Sequence, residues 1–387
     1  MDNQQCHQVF PLEAFEQAAT PFYYYDLKML RTTLQEIKHF ATAAGYVVHY
    51  AVKANGNARI LSEIARAGLG ADLVSGGEMR AAIKAGFSAE SMAYSGVGKT
   101  DWEIRLGLEH GIGCFNVESL PELEVINLLA GEMGTTAPVA IRVNPDIDAH
   151  THRYITTGTA ANKFGIGIEA LQSVVERALQ LPNIRLRGLH FHIGSQITEM
   201  VSYEMLCDTV NQLLDDYARR GIEFEMINVG GGLGIDYGQP DAHIMPDFEA
   251  YFNTFKRINL RRGQQLHFEL GRSVVAQCGT LIGRVVYVKQ SRDKKFAIMD
   301  AGMTDLIRPA LYEAHHLIQN LTSPSTDLET YDVVGPVCES SDVFAHDCPL
   351  HVTHRGDLIA IRSAGAYGES MASTYNMRSM PGVMFSD

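Results

Sequence analysis

The chain has 387 residues, of which 46% are hydrophobic and 20% charged, a length that exceeds one ordinary domain and a balance that excludes extended disorder. Its formal net charge of −13 argues against non-specific nucleic-acid binding, which needs a basic stripe for the phosphates. The first five residues, Met-Asp-Asn-Gln-Gln, lack the basic start and apolar run of a secretory signal, and no stretch approaches the ~18 apolar residues of a membrane span; a soluble cytoplasmic protein without a membrane partner is expected.

Taken in chain order, Pro21-Phe22-Tyr23-Tyr24-Tyr25 is a first strand candidate, and its position before everything else allows it to return to a carboxy-terminal sheet. From Val47 onward, β-branched and aromatic runs alternate with amphipathic segments, the pattern of repeated βα units around a parallel sheet. Candidate strands lie near residues 47–52, 71–74, 92–95, 114–117, 139–143, 188–193, 226–229 and 266–270, and eight such repeats point to closure into a barrel. Ser75 before Glu78 and Ser119 before Glu122 have capping-box spacing, with Pro121 in the first turn of the second helix. Leu171, Val174, Val175, Ala178 and Leu179 recur at the spacing of a helix covering a strand.

After Gly271 the texture changes to strands and turns near residues 280–288, 296–299, 331–334 and 357–361. The expected fold class is therefore α/β: a (β/α)8 barrel with a mostly β carboxy-terminal domain that includes the amino-terminal strand. The expected boundaries are 1–45 for that strand and a helix, 46–275 for the barrel and 276–387 for the β-domain. The six cysteines, Cys6, Cys114, Cys207, Cys278, Cys338 and Cys348, are scattered without metal-ligand spacing, which argues for thiols rather than a disulfide framework.

Lys53 ends an apolar strand in Val48-His49-Tyr50-Ala51-Val52-Lys53-Ala54-Asn55, where barrel enzymes gather catalytic groups. A lysine in a βα loop is more often simply solvated, so the assignment rests on other strand ends. His190-Phe191-His192-Ile193-Gly194-Ser195 places two histidines on one strand face, Gly230-Gly231-Gly232-Leu233-Gly234 follows the next strand, and Glu269-Leu270-Gly271-Arg272 follows the last. Glycines let backbone amides approach an anion, and a phosphate site around the last two strands is frequent in this fold. Tyr367 lies in another glycine-flanked segment, Gly365-Ala366-Tyr367-Gly368.

These segments, with Cys338-Glu339-Ser340-Ser341-Asp342, resemble the barrel-type (fold type III) pyridoxal 5'-phosphate (PLP) decarboxylases over nearly the whole chain. Within that family, Arg142-Val143-Asn144-Pro145, Lys163-Phe164-Gly165 and residues 303–312 are more similar to the diaminopimelate branch than to the ornithine or arginine branches. The resemblance implies decarboxylation of meso-2,6-diaminopimelate to L-lysine and CO2, the last step of lysine biosynthesis, with PLP held by Lys53 as a Schiff base. It implies that His192 stacks on the ring, that Glu269 pairs with the pyridine nitrogen so the ring can accept electrons, and that Asp72 and Arg142 support the lysine side. Ser195, Gly230, Gly231, Gly232, Gly271, Arg272 and Tyr367 are implied for the phosphate. Arg272, Arg308, Tyr312, Glu339 and Tyr367 are implied for the substrate, and Tyr375 for a cofactor contact. Cys338 is implied as the proton donor, reaching the site of a second copy in a homodimer.

The family's usual proline between glutamate and glycine is Leu270 here, which loosens the expectation for the phosphate turn. Three rival readings remain at this stage. One is a decarboxylase of another basic amino acid, and another is a non-catalytic PLP-binding homologue. The third is a metal-dependent barrel hydrolase using His190 and His192 or His150-Thr151-His152, although it leaves Lys53, the glycine turns and Glu269 without roles.

Overall fold

The computed structural model describes residues 10–147 and 163–386; Cys6, His150 and His152 lie outside them. The chain divides into two compact units, one of Arg31–Gly234 with Pro246–Val274, the other of Met1–Leu30, Ile235–Met245 and Val275–Asp387.

The first unit is a closed parallel barrel. Writing β1 for Phe22–Tyr25 of the other unit, its strands are β2 Val47–Ala51, β3 Gly70–Leu73, β4 Met92–Tyr94, β5 Cys114–Val117, β6 Ala137–Asn144, β7 Ile166–Gly167, β8 Ile184–His190, β9 Met226–Asn228 and β10 Gln265–Leu270. The hydrogen-bonded order is β5-β4-β3-β2-β10-β9-β8-β6, with β6 pairing back onto β5 and the two-residue β7 added beside β6. Both anticipated caps form: Ser75 Oγ accepts from the Glu78 amide at 3.1 Å and Ser119 Oγ from the Glu122 amide at 3.3 Å. The two glutamates reach back one residue further than a standard capping box, accepting from Val74 N and Glu118 N.

Helix Ile168–Gln180 buries Leu171, Val174, Val175 and Ala178 as its spacing requires, but Leu179 is exposed, since the buried stripe is only one face wide. The strand expected at residues 188–193 runs instead over Ile184–His190. Phe191 and Ile193 lie past the end of the strand, whereas the pairing with β6 begins at Ile184, in a half-exposed stretch where Arg185 and Arg187 pair with Glu225.

The second unit is a β-domain of β11 Gly279–Gln290, β12 Lys295–Met299, β13 Ile318–Asn320, β14 Leu328–Val334, β15 Val343–His351, β16 Leu358–Ile361 and β17 Gly382–Phe385, ordered β13-β16-β11-β12-β14-β15. β1 joins it, antiparallel to β11 (Phe22 opposite Ile282) and parallel to β17 (Phe22 opposite Gly382). Phe10, Phe15, Phe22 and Tyr24 pack with Ile282, Leu358 and Ala360 in its core. Three strands escaped the sequence reading. β13 and β17 are very short, and β15 carries His346, Asp347 and Pro349 at the sheet edge, where proline removes no ladder bond.

Candidate active site

The carboxyl ends of the barrel strands carry the candidate residues. Lys53 leaves β2 in the turn Val52–Ala54 with its side chain exposed, between the buried Val52 and Ala54. Asp72, on β3 opposite Ala51, is buried and accepts from Ser95 Oγ at 2.8 Å. Burial, with the Glu269 charge adding and Lys53 opposing, pushes the Asp72 carboxyl well above its ordinary range.

Glu269, 6% exposed near the end of β10, accepts from three side-chain donors. Its Oε2 accepts from His190 Nε2 at 2.9 Å, and its Oε1 accepts from Asn116 Nδ2 at 3.0 Å and Asn228 Nδ2 at 2.6 Å. Burial works against the carboxylate, yet the interaction with His190, hydrogen-bonded to it, outweighs burial and holds Glu269 well below the usual range. Asn116 Nδ2 also reaches Ser95 Oγ at 2.9 Å, so one polar chain runs Asp72, Ser95, Asn116, Glu269.

His192 lies just past β8, two residues beyond His190. Its Nδ1 faces the Gly231 amide at 3.3 Å and accepts from it, which leaves the ring proton on Nε2. Burial, then the positive charges of Lys53 and Arg142, keep this ring well below the ordinary histidine range and therefore neutral. Arg272, buried, donates from Nη2 to Ser195 Oγ at 3.0 Å. The glycines between these groups are there for close approach: a Cβ on Gly231 would stand 1.8 Å from the Glu269 carbonyl oxygen, and one on Gly230, at φ +71°, 2.3 Å from that of Phe191. The Gly230 amide is already bound to Asn228 Oδ1 at 2.9 Å. Leu270 completes β10 opposite Tyr50 and is fully buried.

The Arg142 and Lys163 motifs interlock. Arg142 donates to Glu118 Oε1 at 2.7 Å and lies 4.7 Å over the Phe164 ring, Gly165 N donates to Glu118 Oε2 at 2.9 Å, and Asn144 Nδ2 donates to the Phe164 carbonyl at 3.2 Å. Among the β-domain residues, Arg308 is buried, its Nη1 2.7 Å from His316 Nε2 and its guanidinium 4.6 Å over Tyr237. Tyr312 ends the short helix Arg308–Tyr312. Cys338 and Glu339 are exposed, Glu339 Oε1 accepting from Tyr375 Oη at 2.7 Å, and Tyr367 takes a left-handed φ of +56°. Gly271 separates β10 from Arg272.

Sequence reasoning missed Asn116, Asn228, Ser95 and Glu118. The available signal was a polar residue inside an otherwise apolar strand, as in Cys114-Phe115-Asn116-Val117 and Met226-Ile227-Asn228, because a buried amide needs partners. Among the described residues no group of three or more His, Cys, Asp or Glu could hold a metal ion, and His190 is committed to Glu269.

The arrangement fits PLP: an ionised buried acid for a pyridinium nitrogen, a neutral imidazole for stacking, and a cationic Arg272 with a hydroxyl beside a glycine turn. Residues 30–276 match the family described as pyridoxal-dependent decarboxylase, pyridoxal binding domain. Diaminopimelate decarboxylase of Bacteroides thetaiotaomicron is 58% identical over 381 residues, covering 98% of each chain. That of Zymomonas mobilis is 42% identical over 377 residues, 96% of this chain and 89% of its own. The crystal structure of diaminopimelate decarboxylase from Helicobacter pylori complexed with L-lysine superposes with a TM-score of 0.92 at 39% identity, covering 97% of this chain and 93% of that one. The chain belongs to the diaminopimelate decarboxylase family of pyridoxal-dependent decarboxylases.

Proposed function

We propose that this chain uses PLP to decarboxylate meso-2,6-diaminopimelate to L-lysine and CO2, the closing step of lysine biosynthesis. The observation that carries the reading is Glu269, a buried carboxylate at the end of the last barrel strand that accepts from His190, Asn116 and Asn228. The cofactor supplies an electron sink for the bond to the departing carboxylate, and that capacity depends on a protonated ring nitrogen. Glu269 holds that proton in place. His192, neutral, offers a flat face without adding positive charge beside the ring. Lys53 carries the cofactor, with Asp72 and Arg142 supporting its side. Ser195, Arg272, Gly232, Gly271 and Tyr367 bind the phosphate, alongside the turn that Gly230 and Gly231 allow.

The family resemblance supports Arg272, Arg308 and Tyr312 as receptors of the distal carboxylate and Glu339 of the distal ammonium. It also supports a homodimer in which Cys338 of the second copy, from a β-domain spanning 276–387, protonates the product carbon beside the 46–275 barrel. The five described cysteines are all free thiols, which agrees with a cytoplasmic setting.

Release of CO2 from a panel of meso-diaminopimelate, ornithine, arginine and lysine tests the substrate: turnover of the first should exceed the others on the order of 10⁴-fold, because a buried guanidinium left without a carboxylate rejects basic amino acids that lack a distal carboxylate. Equal turnover of ornithine would refute it. Mixing inactive Lys53→Ala with inactive Cys338→Ala after dissociation tests the shared site. Half the re-formed dimers would be mixed, with one intact site each, restoring about a quarter of wild-type activity; no recovery in verified heterodimers would refute sharing.

A further inference from the structure

We infer that His190, Asn116 and Asn228 form a clamp that fixes both the ionisation and the direction of Glu269, and that His190 and Asn116 are positioning residues for the reaction. The inference rests on the pairing of Glu269 with the cofactor nitrogen proposed above.

An ionised carboxylate has about four acceptor positions, two on each oxygen. Asn116 and Asn228 fill both on Oε1, at 3.0 and 2.6 Å, and His190 fills one on Oε2, at 2.9 Å. A single position remains, on Oε2, and that oxygen is the one that receives the proton of a pyridinium nitrogen. The three donors also oppose protonation of the acid, since each bond is made to the charged form and a carboxylic acid would have to give one up. The donors come from the neighbouring strands β9 and β8 and from the non-adjacent β5. Asn228 sits in register with His190 and bonds the Gly230 amide through its Oδ1, tying the clamp to the glycine turn. Asn116 passes its second contact to Ser95 and on to Asp72, so the acid on the Lys53 side and the acid on the nitrogen side share one hydrogen-bonded chain. His190 has a definite role in this: to donate from Nε2 it must carry its proton there, and its Nδ1, buried, meets no hydrogen-bond partner among the described residues. A glutamine at that position can present its amide nitrogen where Nε2 stands; a leucine cannot.

The test reads the cofactor's ring nitrogen directly. Holoenzyme loaded with PLP labelled with ¹⁵N in the ring is compared by NMR for wild type, Glu269→Gln, His190→Leu, His190→Gln and Asn116→Leu. The signal belongs to bound cofactor, so a smaller folded fraction does not move it. The clamp predicts a pyridinium-like shift in wild type that moves toward unprotonated pyridine in His190→Leu and Asn116→Leu and returns in His190→Gln. It also predicts a fall in kcat of roughly 10- to 100-fold for His190→Leu with KM little changed, the range typical of residues that orient a first-contact ligand. If Glu269→Gln moves the signal and His190→Leu and Asn116→Leu do not, the clamp is wrong and the pairing stands. If Glu269→Gln leaves the signal in place, the pairing itself fails and the clamp with it.

Discussion

Two polar layers lie inside the same barrel, two residues apart on β10, and they have opposite electrostatics. At Glu269 a charge is buried and satisfied by three donors. At His267 the ring stacks on His49 with centroids 5.2 Å apart, and His267 Nδ1 lies 2.9 Å from His49 Nε2. Burial, with His49 adding, pushes His267 down to about 3, and burial lowers His49 as well despite the nearby Glu269. The lower pair is therefore uncharged and completes its hydrogen bond with a neutral partner, while Ser91 O takes the other His49 nitrogen at 3.0 Å. Burying a polar group is tolerable in either form once it is paired, but only the upper layer keeps a charge, and it does so where the strands end.

Glu269→Gln keeps the volume and removes the charge, so kcat should fall on the order of 10³-fold, the scale of losing a preorganised charge partner, while thermal unfolding stays near wild type. A large loss of stability with kcat of the folded enzyme intact would show that the upper layer is structural after all.

The lower layer should answer the opposite way. His267→Leu leaves His49 Nε2 without its partner and should destabilise the fold by about 1–3 kcal/mol, measured by denaturant unfolding, with kcat of the folded fraction unchanged. The same variant also changes how stability depends on pH. Because the folded pKa of His267 lies below the ordinary value of about 6.5, the unfolded chain binds more protons between these limits. Stability therefore falls as pH drops from about 6.5 toward 3, by up to about 1.4 kcal/mol per pH unit for this one group. His267→Leu should flatten that slope, and an unaltered slope would mean that His267 is charged in the fold.

The βα repeats, the two capping serines and the change of texture after Gly271 were legible because each is a local pattern in which neighbours along the chain share one element. The tyrosine run of β1 was legible as a strand for the same reason. Lys53, His192, the glycine turn and Glu269 were legible as residues at or just past the strand ends. The edge strand β15 was not, because its exposed histidine and aspartate and its proline mask the alternation. Leu179 satisfied the helical spacing and still ended in solvent, since the stripe does not say how wide the covered face is.

Local patterning along the chain marks which polar and glycine residues lie near the strand ends, and therefore which side chains gather at one rim of a parallel barrel. The tertiary structure alone decided which of them hold one another. Asn116 lies 153 positions from Glu269 and His190 lies 79, and they meet because β5 closes onto β6 and because β8 and β9 pair with His190 opposite Asn228. Register between strands is set by packing across the whole barrel, and a slip of one residue would turn each of these side chains to the opposite face.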